Sequence, residues 1–143
     1  SDFIIGYPEE NDEDFKNTME LIEKVKFTNS YSFVFSPRPG TVAADLDLTD
    51  KKKSKERLEI IQKKLFNYQI EKNKSLEGKI VNVLVENIMK DTIKLFGRTE
   101  YMTSVIFNGE LENIGKIVQV EITSSNQNSL FGKLRESYKQ KVA

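Results

Sequence analysis

The sequence from residue 76 onward consists of short alternating segments separated by glycines, and this pattern constrains the fold most strongly. In Lys79–Glu86 and Lys116–Thr123, valine or isoleucine occupies every second position, which is typical of half-buried strands. Three more strands are predicted at Ile93–Glu100, Thr103–Phe107 and Leu130–Leu134. Five short antiparallel strands over so few residues predict a small closed barrel of the oligonucleotide-binding (OB) type.

The first 48 residues predict a β-α-β unit. Asp2–Gly6 holds an uninterrupted apolar run, as in a strand buried on both faces of a parallel sheet. A helix is expected to about Lys26, because Phe15, Met19, Ile22 and Val25 recur at helical spacing. A second strand follows at Tyr31–Phe35. Since one such unit cannot close a barrel or cover its own sheet, we expect it to belong to a larger α/β sheet.

The second strand ends in a loop stiffened by two prolines and a glycine, Ser36–Thr41. In α/β folds, ligands bind at the carboxyl ends of parallel strands, so Arg38 in this loop is a candidate binding residue. The alternative is a rigid surface connection with a solvated arginine.

A basic helix is predicted between the two parts, from about Lys51 to Ser75. It contains far more lysine and arginine than acidic residues. Its charged side is either a solvated face or a contact for phosphates, with the candidates Lys51, Lys52, Lys53, Lys55 and Arg57. Residues 1–50 are net acidic and residues 51–143 net basic, which favours separate structural parts. The predicted organisation is a β-α-β part at 1–48, a connecting helix at 49–75, a barrel at 76–135 and a polar tail at 136–143, which we expect to fray.

The absence of certain residue types restricts the chemistry. With no cysteine and no histidine, the chain has no thiol nucleophile, no serine–histidine pair and no zinc ligands of the usual kind. The acidic run between Glu9 and Asp14 is better explained by a helix start than by a metal site. We therefore predict no catalytic residue and no metal site in this chain. No apolar run approaches the roughly 20 residues that span a bilayer, and no leader is evident, so a cytoplasmic location is expected.

Nucleic-acid binding is the function that the barrel pattern favours. Six basic residues are candidate phosphate contacts, and Tyr101 and Phe107 are candidates for stacking on bases. The six are Lys79, Lys94, Arg98, Lys116, Lys133 and Arg135. The barrel segment is nearly neutral overall, so its charge is a weak signal, and Phe107 alternates with Val105 as a core residue would.

Several segments resemble one enzyme family. DFIIGYPEENDEDF, residues 2–15, is similar to the family sequence DFIVGFPGETEEDF, and SPRPGTVAADL, residues 36–46, is similar to SPRPGTPAADL. SLEGKIVNVLVE, FGRTE, VIFNG, IGKIVQVEIT and NSLFGKL follow in the order of the family's TRAM domain. The chain thus resembles the tRNA methylthiotransferases of the MiaB type, from the end of their radical S-adenosylmethionine (radical SAM) domain through the TRAM domain.

The resemblance implies an enzyme that places a methylthio group on C2 of a modified adenosine next to the tRNA anticodon. Such enzymes use S-adenosylmethionine and two 4Fe-4S clusters. The implied adenosylmethionine-site residues are Ile4, Gly6, Glu10 and Arg38. The implied RNA-binding residues are Lys79, Arg98, Thr99 and Lys133. Glu9 and Asn11 depart from the family's glycine and threonine, so the match of Glu9 or Glu10 to the family glutamate stays open.

The resemblance also implies partners and limits. The expected partners are the tRNA anticodon stem-loop and the missing N-terminal domains of the same enzyme, with self-association of the fragment through exposed apolar surface and no membrane. Because the chain has no cluster cysteines, the segment alone is expected to be inactive. Two alternatives stay open: a sibling methylthiotransferase that modifies a ribosomal protein, and a stand-alone TRAM-type RNA-binding protein.

Overall fold

The computed structural model describes residues 1–90 and 92–135. The chain divides into two compact units, one from Ser1 to Gln69 and one from Ile70 onward. This division falls inside the connecting helix, whereas the sequence placed the helix by itself at 49–75. The predicted tail at 136–143 lies outside the described residues. No helix in the described part of the chain is both long enough and apolar enough to cross a bilayer.

The first unit contains two parallel strands and the helices that follow them. Its elements are β1 at Asp2–Ile5, α1 at Asp12–Val25, β2 at Tyr31–Val34, a 3-10 turn at Val42–Ala44 and α2 at Lys51–Lys74, which continues into the second unit. β1 and β2 pair in parallel, with Asp2 opposite Tyr31 and Ile5 opposite Val34. The predicted β-α-β order is confirmed.

Helix α1 begins at a capping box. The Asn11 side chain accepts hydrogen bonds from the backbone N–H groups of Glu13 and Asp14, and the Asp14 carboxylate accepts one from the Asn11 N–H. Asp12, Glu13 and Asp14 place negative charge in the first turn, where the helix dipole favours it. The acidic run is therefore used as a helix start.

The expectation that β1 is buried on both faces is wrong. Phe3 and Ile5 are buried against Ile22 of α1 and against α2, but Ile4 between them is 57% exposed. Phe33, opposite Ile4 on β2, is 55% exposed. The reason is that the helices of this unit cover only one face of a two-stranded sheet. The other face presents the exposed apolar surface that the sequence predicted.

The second unit is a closed barrel of five strands, as predicted. The strands are β3 at Ile80–Ile88, β4 at Lys94–Thr99, β5 at Ser104–Asn108, β6 at Ile117–Ser125 and β7 at Ser129–Leu134. They are hydrogen-bonded in the order β3-β4-β5-β7-β6, with β6 closing onto β3. A buried aliphatic and aromatic core fills the barrel. Its buried members are Val83, Val85, Leu95, Val105, Phe107, Val120, Ile122 and Leu130.

One pairing differs from the predicted antiparallel arrangement. β5 and β7 are parallel, with Val105 opposite Leu130 and Phe107 opposite Gly132. The difference follows from the chain path. After β5 the chain crosses the barrel, so that β6 pairs with β3. β7 then runs antiparallel to β6 and lies between β6 and β5. Inward and outward side chains alternate in the same way in parallel and antiparallel strands, so the sequence pattern could not reveal the parallel pairing of β5 and β7.

The barrel contains an internal repeat. GKIVNV at residues 78–83 recurs as GKIVQV at 115–120, and LFGR at 95–98 recurs as LFGK at 130–133. In each LFG segment the glycine lies against a neighbouring strand that bulges. A Cβ at Gly97 would collide with the Leu84 carbonyl oxygen, and one at Gly132 with the Glu121 carbonyl oxygen. Each glycine therefore permits a close approach of two strands.

Candidate nucleic-acid interface

The outer surface of three adjacent barrel strands carries a row of apolar side chains. Phe96 of β4 lies opposite Ile106 of β5, which lies opposite Phe131 of β7. All three are half-buried, whereas their strand neighbours Leu95 and Phe107 are buried in the core. Because strands are about 4.8 Å apart, the two phenylalanines lie on strands about 10 Å apart. We call this surface the β4–β5–β7 face, defined by Lys94, Phe96, Arg98, Ile106, Asn108, Phe131 and Lys133.

Basic side chains border the apolar row on both sides. On one side Lys94, Asn108 and Lys133 are register partners across the three strands, and all three are exposed. On the other side lies Arg98, opposite Ser104. Two aromatic rings flanked by cations on a sheet surface match the needs of RNA, since bases stack on rings and phosphates pair with cations. In OB-type barrels the face of the second and third strands, which are β4 and β5 here, binds oligonucleotides.

Arg98 is held in place by two neighbours. Its guanidinium nitrogen Nη1 lies 3.6 Å from Glu86 Oε1, and its Cζ lies 5.6 Å from the centre of the Phe96 ring. The Arg98 side chain is 40% exposed to solvent. Glu86 therefore neutralises part of the Arg98 charge. Lys94 and Lys133 form no ion pair within 4.0 Å among residues 1–90 and 92–135, although Glu121 of β6 is the register partner of Lys133.

The predicted RNA-binding residues fall in different places. Arg98 and Lys133 lie on the β4–β5–β7 face. Lys79 is exposed but immediately precedes β3, whose first residue pairs with β6. Thr99 is 7% exposed, and its hydroxyl oxygen accepts hydrogen bonds from the N–H groups of Tyr101 and Thr103. The structure thus shows Thr99 supporting a turn, and its contact with RNA stays a prediction.

The two stacking candidates separate clearly. Phe107 is 2% exposed in the barrel core, so the stacking interpretation of this residue is wrong. Tyr101 is 64% exposed. Phe96 and Phe131, which are the aromatic residues of the face, were not among the residues predicted from the sequence. The repeated LFG followed by a basic residue is the sequence signal that would have identified them as members of this face.

The predicted cofactor residues lie in the first unit and form two pairs. Ile4 and Arg38 line one open depression, together with Phe33, Val34, Phe35, Ser36, Thr41 and Ala43. Gly6 and Glu10 lie in the turn after β1, where the Gly6 N–H donates to Glu10 Oε2 at 2.8 Å. Gly6 has φ +70°, a conformation that glycine adopts without strain.

Glu10 is engaged by Arg57, which the sequence analysis placed on the charged side of the helix as a candidate phosphate contact. That placement is wrong for Arg57, because its side chain is buried and paired with carboxylates. Arg57 of α2 is 4% exposed and donates to both the side chain and the backbone carbonyl of Glu10. Its other terminal nitrogen lies 2.7 Å from Asp12 Oδ1, and Lys53 Nζ lies 2.8 Å from the same oxygen. Hydrogen bonds from Lys53 and then Arg57 lower the pKa of the Asp12 carboxyl below its usual range. The network fixes the turn after β1 to the start of α2.

Across residues 1–90 and 92–135, no group of three or more acidic side chains is arranged to hold a metal ion. The full sequence has no cysteine, the residue whose thiolate ligates iron–sulfur clusters. This chain therefore does not fit such a cluster.

Comparisons with known proteins agree with the geometry of the barrel. Residues 74–134 match the family model of the TRAM domain. Over all 143 residues the chain is 82% identical to a tRNA-2-methylthio-N(6)-dimethylallyladenosine synthase of Pelagibacter ubique strain HTCC1062, of which it covers 32%. It is 45% identical over 135 residues to the protein of that name from Ruthia magnifica and 48% identical over 138 residues to that from Vesicomyosocius okutanii. Each of these two alignments covers 94% of this chain and 30% of the relative.

The chain spans about a third of the length of the curated relatives it matches. Its barrel lies within the matched TRAM region, and the similarity extends through the β-α-β unit to the first residue. The chain therefore contains a match to the TRAM domain at residues 74–134, and over all 143 residues it is similar to a protein named tRNA-2-methylthio-N(6)-dimethylallyladenosine synthase.

Proposed function

We propose that this chain is the RNA-binding portion of an enzyme that adds a methylthio group to C2 of a modified adenosine next to the tRNA anticodon. The observation that carries the proposal is the β4–β5–β7 face, where Phe96 and Phe131 lie between exposed lysines and Arg98. The names of the relatives supply the reaction class. The partner is then the anticodon stem-loop of a tRNA.

Each part of the face has a distinct role in this proposal. Lys94 and Lys133 pair with phosphates and release counterions. These contacts contribute affinity and hold the RNA in place, but they do not distinguish its sequence. Phe96 and Phe131 offer apolar surface to bases or riboses at the edge of the stem-loop. Asn108, between the two lysines, adds an amide that donates and accepts hydrogen bonds.

The first unit would contribute to the adenosylmethionine site of the complete enzyme, as the last part of its radical SAM barrel. Ile4 offers an apolar surface for the adenine, and Arg38 offers a cation to the carboxylate in the same depression. Glu10 would act by holding the turn at Gly6, since its carboxylate is engaged by Gly6 and Arg57. S-adenosylmethionine, when bound, supplies the methyl group and the radical chemistry.

The remaining parts of the proposal concern what this chain lacks. The two 4Fe-4S clusters would be held by cysteines of the missing N-terminal domains, because this chain has none. Those domains would also cover the exposed face of the β1–β2 sheet at Ile4 and Phe33; without them, this face would favour self-association. We propose a cytoplasmic location, where the tRNA substrate is found, and we expect the segment alone to be catalytically inactive.

The first prediction concerns salt-dependent binding of a labelled tRNA anticodon stem-loop to the 143-residue chain. We expect affinity to fall steeply as salt rises, because phosphate contacts release counterions. The double variant Lys94→Ala, Lys133→Ala should lower the slope of log affinity against log salt by about 2, roughly one per lost contact. Fluorescence anisotropy across a salt series measures this slope.

Lys16→Ala is the matched control, since Lys16 is exposed on α1 and lies outside the barrel. The control should leave the slope unchanged. An unchanged slope in the double variant would contradict the role of the β4–β5–β7 face. No binding to the stem-loop at low salt would contradict the tRNA assignment. It would favour the alternative that the chain comes from a sibling methylthiotransferase that modifies a ribosomal protein.

A further inference from the structure

The hairpin between β4 and β5 is built to expose two large side chains. Tyr101 is 64% exposed and Met102 is 60% exposed. They lie at the end of the hairpin, beyond the last residue of β4 and before the first of β5. We call this feature the hairpin tip, defined by Glu100, Tyr101, Met102 and Thr103. Neither side chain belongs to the barrel core.

Thr99 makes the hairpin tip rigid. Its carbonyl oxygen accepts from the Met102 N–H at 2.9 Å, and its N–H donates to the Thr103 carbonyl at 3.0 Å. Its buried hydroxyl oxygen accepts from the N–H groups of Tyr101 and Thr103, each at 3.3 Å. Four hydrogen bonds from one residue thus fix the direction in which Tyr101 leaves the barrel.

Met102 occupies a position that favours glycine. Met102 is the last residue of the four-residue turn that begins at Thr99, and its φ is +62°. This left-handed region is one that residues other than glycine and asparagine seldom adopt. Glycine would fit there without steric cost. The turn instead keeps an exposed apolar side chain at some expense in backbone energy, which is a feature of functional sites.

A cation accompanies the exposed ring. Nζ of Lys72, in the last turn of α2, lies 5.9 Å from the centre of the Tyr101 ring, and both residues belong to the second unit. An aromatic ring beside an ammonium group matches one nucleotide, because the base stacks on the ring and a neighbouring phosphate pairs with the cation.

We propose that the hairpin tip is a second RNA contact, which takes one unpaired nucleotide of the bound RNA on Tyr101 and Met102 with Lys72 on its phosphate. The inference rests on the proposed RNA-binding function and adds a preference for RNA with unpaired bases. The interior of a duplex stem offers no free base face to Tyr101, so the tip prefers a stem-loop, with its unpaired bases, to a duplex. The β4–β5–β7 face, through its lysines, binds both.

The test compares two labelled probes, a tRNA anticodon stem-loop and a blunt duplex with the same number of phosphates. We expect Tyr101→Ala to weaken stem-loop binding about tenfold, as loss of one stacked base would, and to leave duplex binding unchanged. Tyr101→Phe should bind both probes like the original chain. Because Tyr101 is exposed, Tyr101→Ala should melt at an unchanged temperature.

A second variant separates binding from folding. Met102→Gly relieves the left-handed backbone and should raise the melting temperature while weakening stem-loop binding several-fold. A stem-loop with 4-thiouridine in its loop should crosslink to the peptide containing Tyr101 and Met102.

Stem-loop affinity in Tyr101→Ala equal to that of the original chain would overturn the inference and assign the tip to a protein contact. An equal loss on both probes would overturn it as well. If the unaltered chain bound neither probe, the proposed function itself would fail.

Discussion

At the scale of single residues, the strongest local constraint in the first unit is the buried ion pair between Arg57 and Glu10. Arg57 is 4% exposed and the Glu10 side chain 12% exposed, so both charges are largely removed from water. The Gly6 N–H completes the environment of the Glu10 carboxylate. Removing one partner of such a pair leaves the other charged and buried without compensation.

We predict that Arg57→Met destabilises the first unit by roughly 3 kcal/mol. Urea unfolding followed by circular dichroism measures the change in the free energy of unfolding. The double variant Glu10→Gln, Arg57→Met should recover part of the loss, because no buried charge then remains unpaired. Lys24→Ala breaks an exposed pair with Glu20 and is the control, with an expected loss below about 0.5 kcal/mol. A loss as small as that of the control in Arg57→Met would contradict the account.

Glu10 and the acidic helix start could be identified from the sequence, but the burial of Arg57 and its pairing with Glu10 could not. The helical spacing of Leu58, Ile61 and Leu65 is visible in the sequence, whereas the burial of Arg57 depends on a turn 47 residues away in the chain. Long-range pairing of this kind leaves no periodic signal. Thr99 is similar, since its role in the hairpin tip depends on burial that its polarity does not predict.

At the scale of elements, the barrel strands depend on two glycines in equivalent places of the internal repeat. A Cβ at Gly97 would meet the Leu84 carbonyl and a methyl of Val83, and one at Gly132 would meet the Glu121 carbonyl and a methyl of Val120. Backbone oxygens cannot move aside without breaking the strand pairing. These glycines therefore set the close packing of β4 on β3 and of β7 on β6.

We predict that Gly97→Ala and Gly132→Ala each destabilise the barrel by about 2 kcal/mol, as overpacking of a tight site does. Gly109→Ala is the matched control, because its Cβ would mainly meet the flexible end of Leu95, and it should lose less than about 1 kcal/mol. Thermal unfolding of the three variants provides the comparison. Equal losses at all three positions would show that the strand approach is not the limiting contact.

Alternation and glycine spacing predicted the five strands to within two residues at each end. They did not reveal the parallel pairing of β5 and β7, because pairing partners depend on where the chain crosses the barrel. They also did not identify Phe96 and Phe131 as outward-facing. Each phenylalanine is next to a leucine, and alternation alone does not say which of the two apolar neighbours points into the barrel. The internal repeat resolves this ambiguity.

At the scale of the whole molecule, the two units differ in the surfaces they present. The first exposes apolar side chains on one face of the β1–β2 sheet, and the second presents rings and cations on the outside of a closed barrel. The zero net charge of the chain arises mainly because the acidic first 50 residues are offset by the basic connecting helix, whereas the barrel segment is nearly neutral. The proposed binding to RNA therefore depends on a local surface and not on the net charge of the chain.

The most direct test of the central claim is the mapping of RNA contacts on the labelled chain by NMR. On addition of a tRNA anticodon stem-loop, we predict that the largest backbone amide shifts occur at Phe96, Ile106, Phe131 and Lys133. Asn82 and Gln119, register partners exposed on β3 and β6, should move little. Shifts concentrated at Asn82 and Gln119, with the β4–β5–β7 face unchanged, would contradict the account.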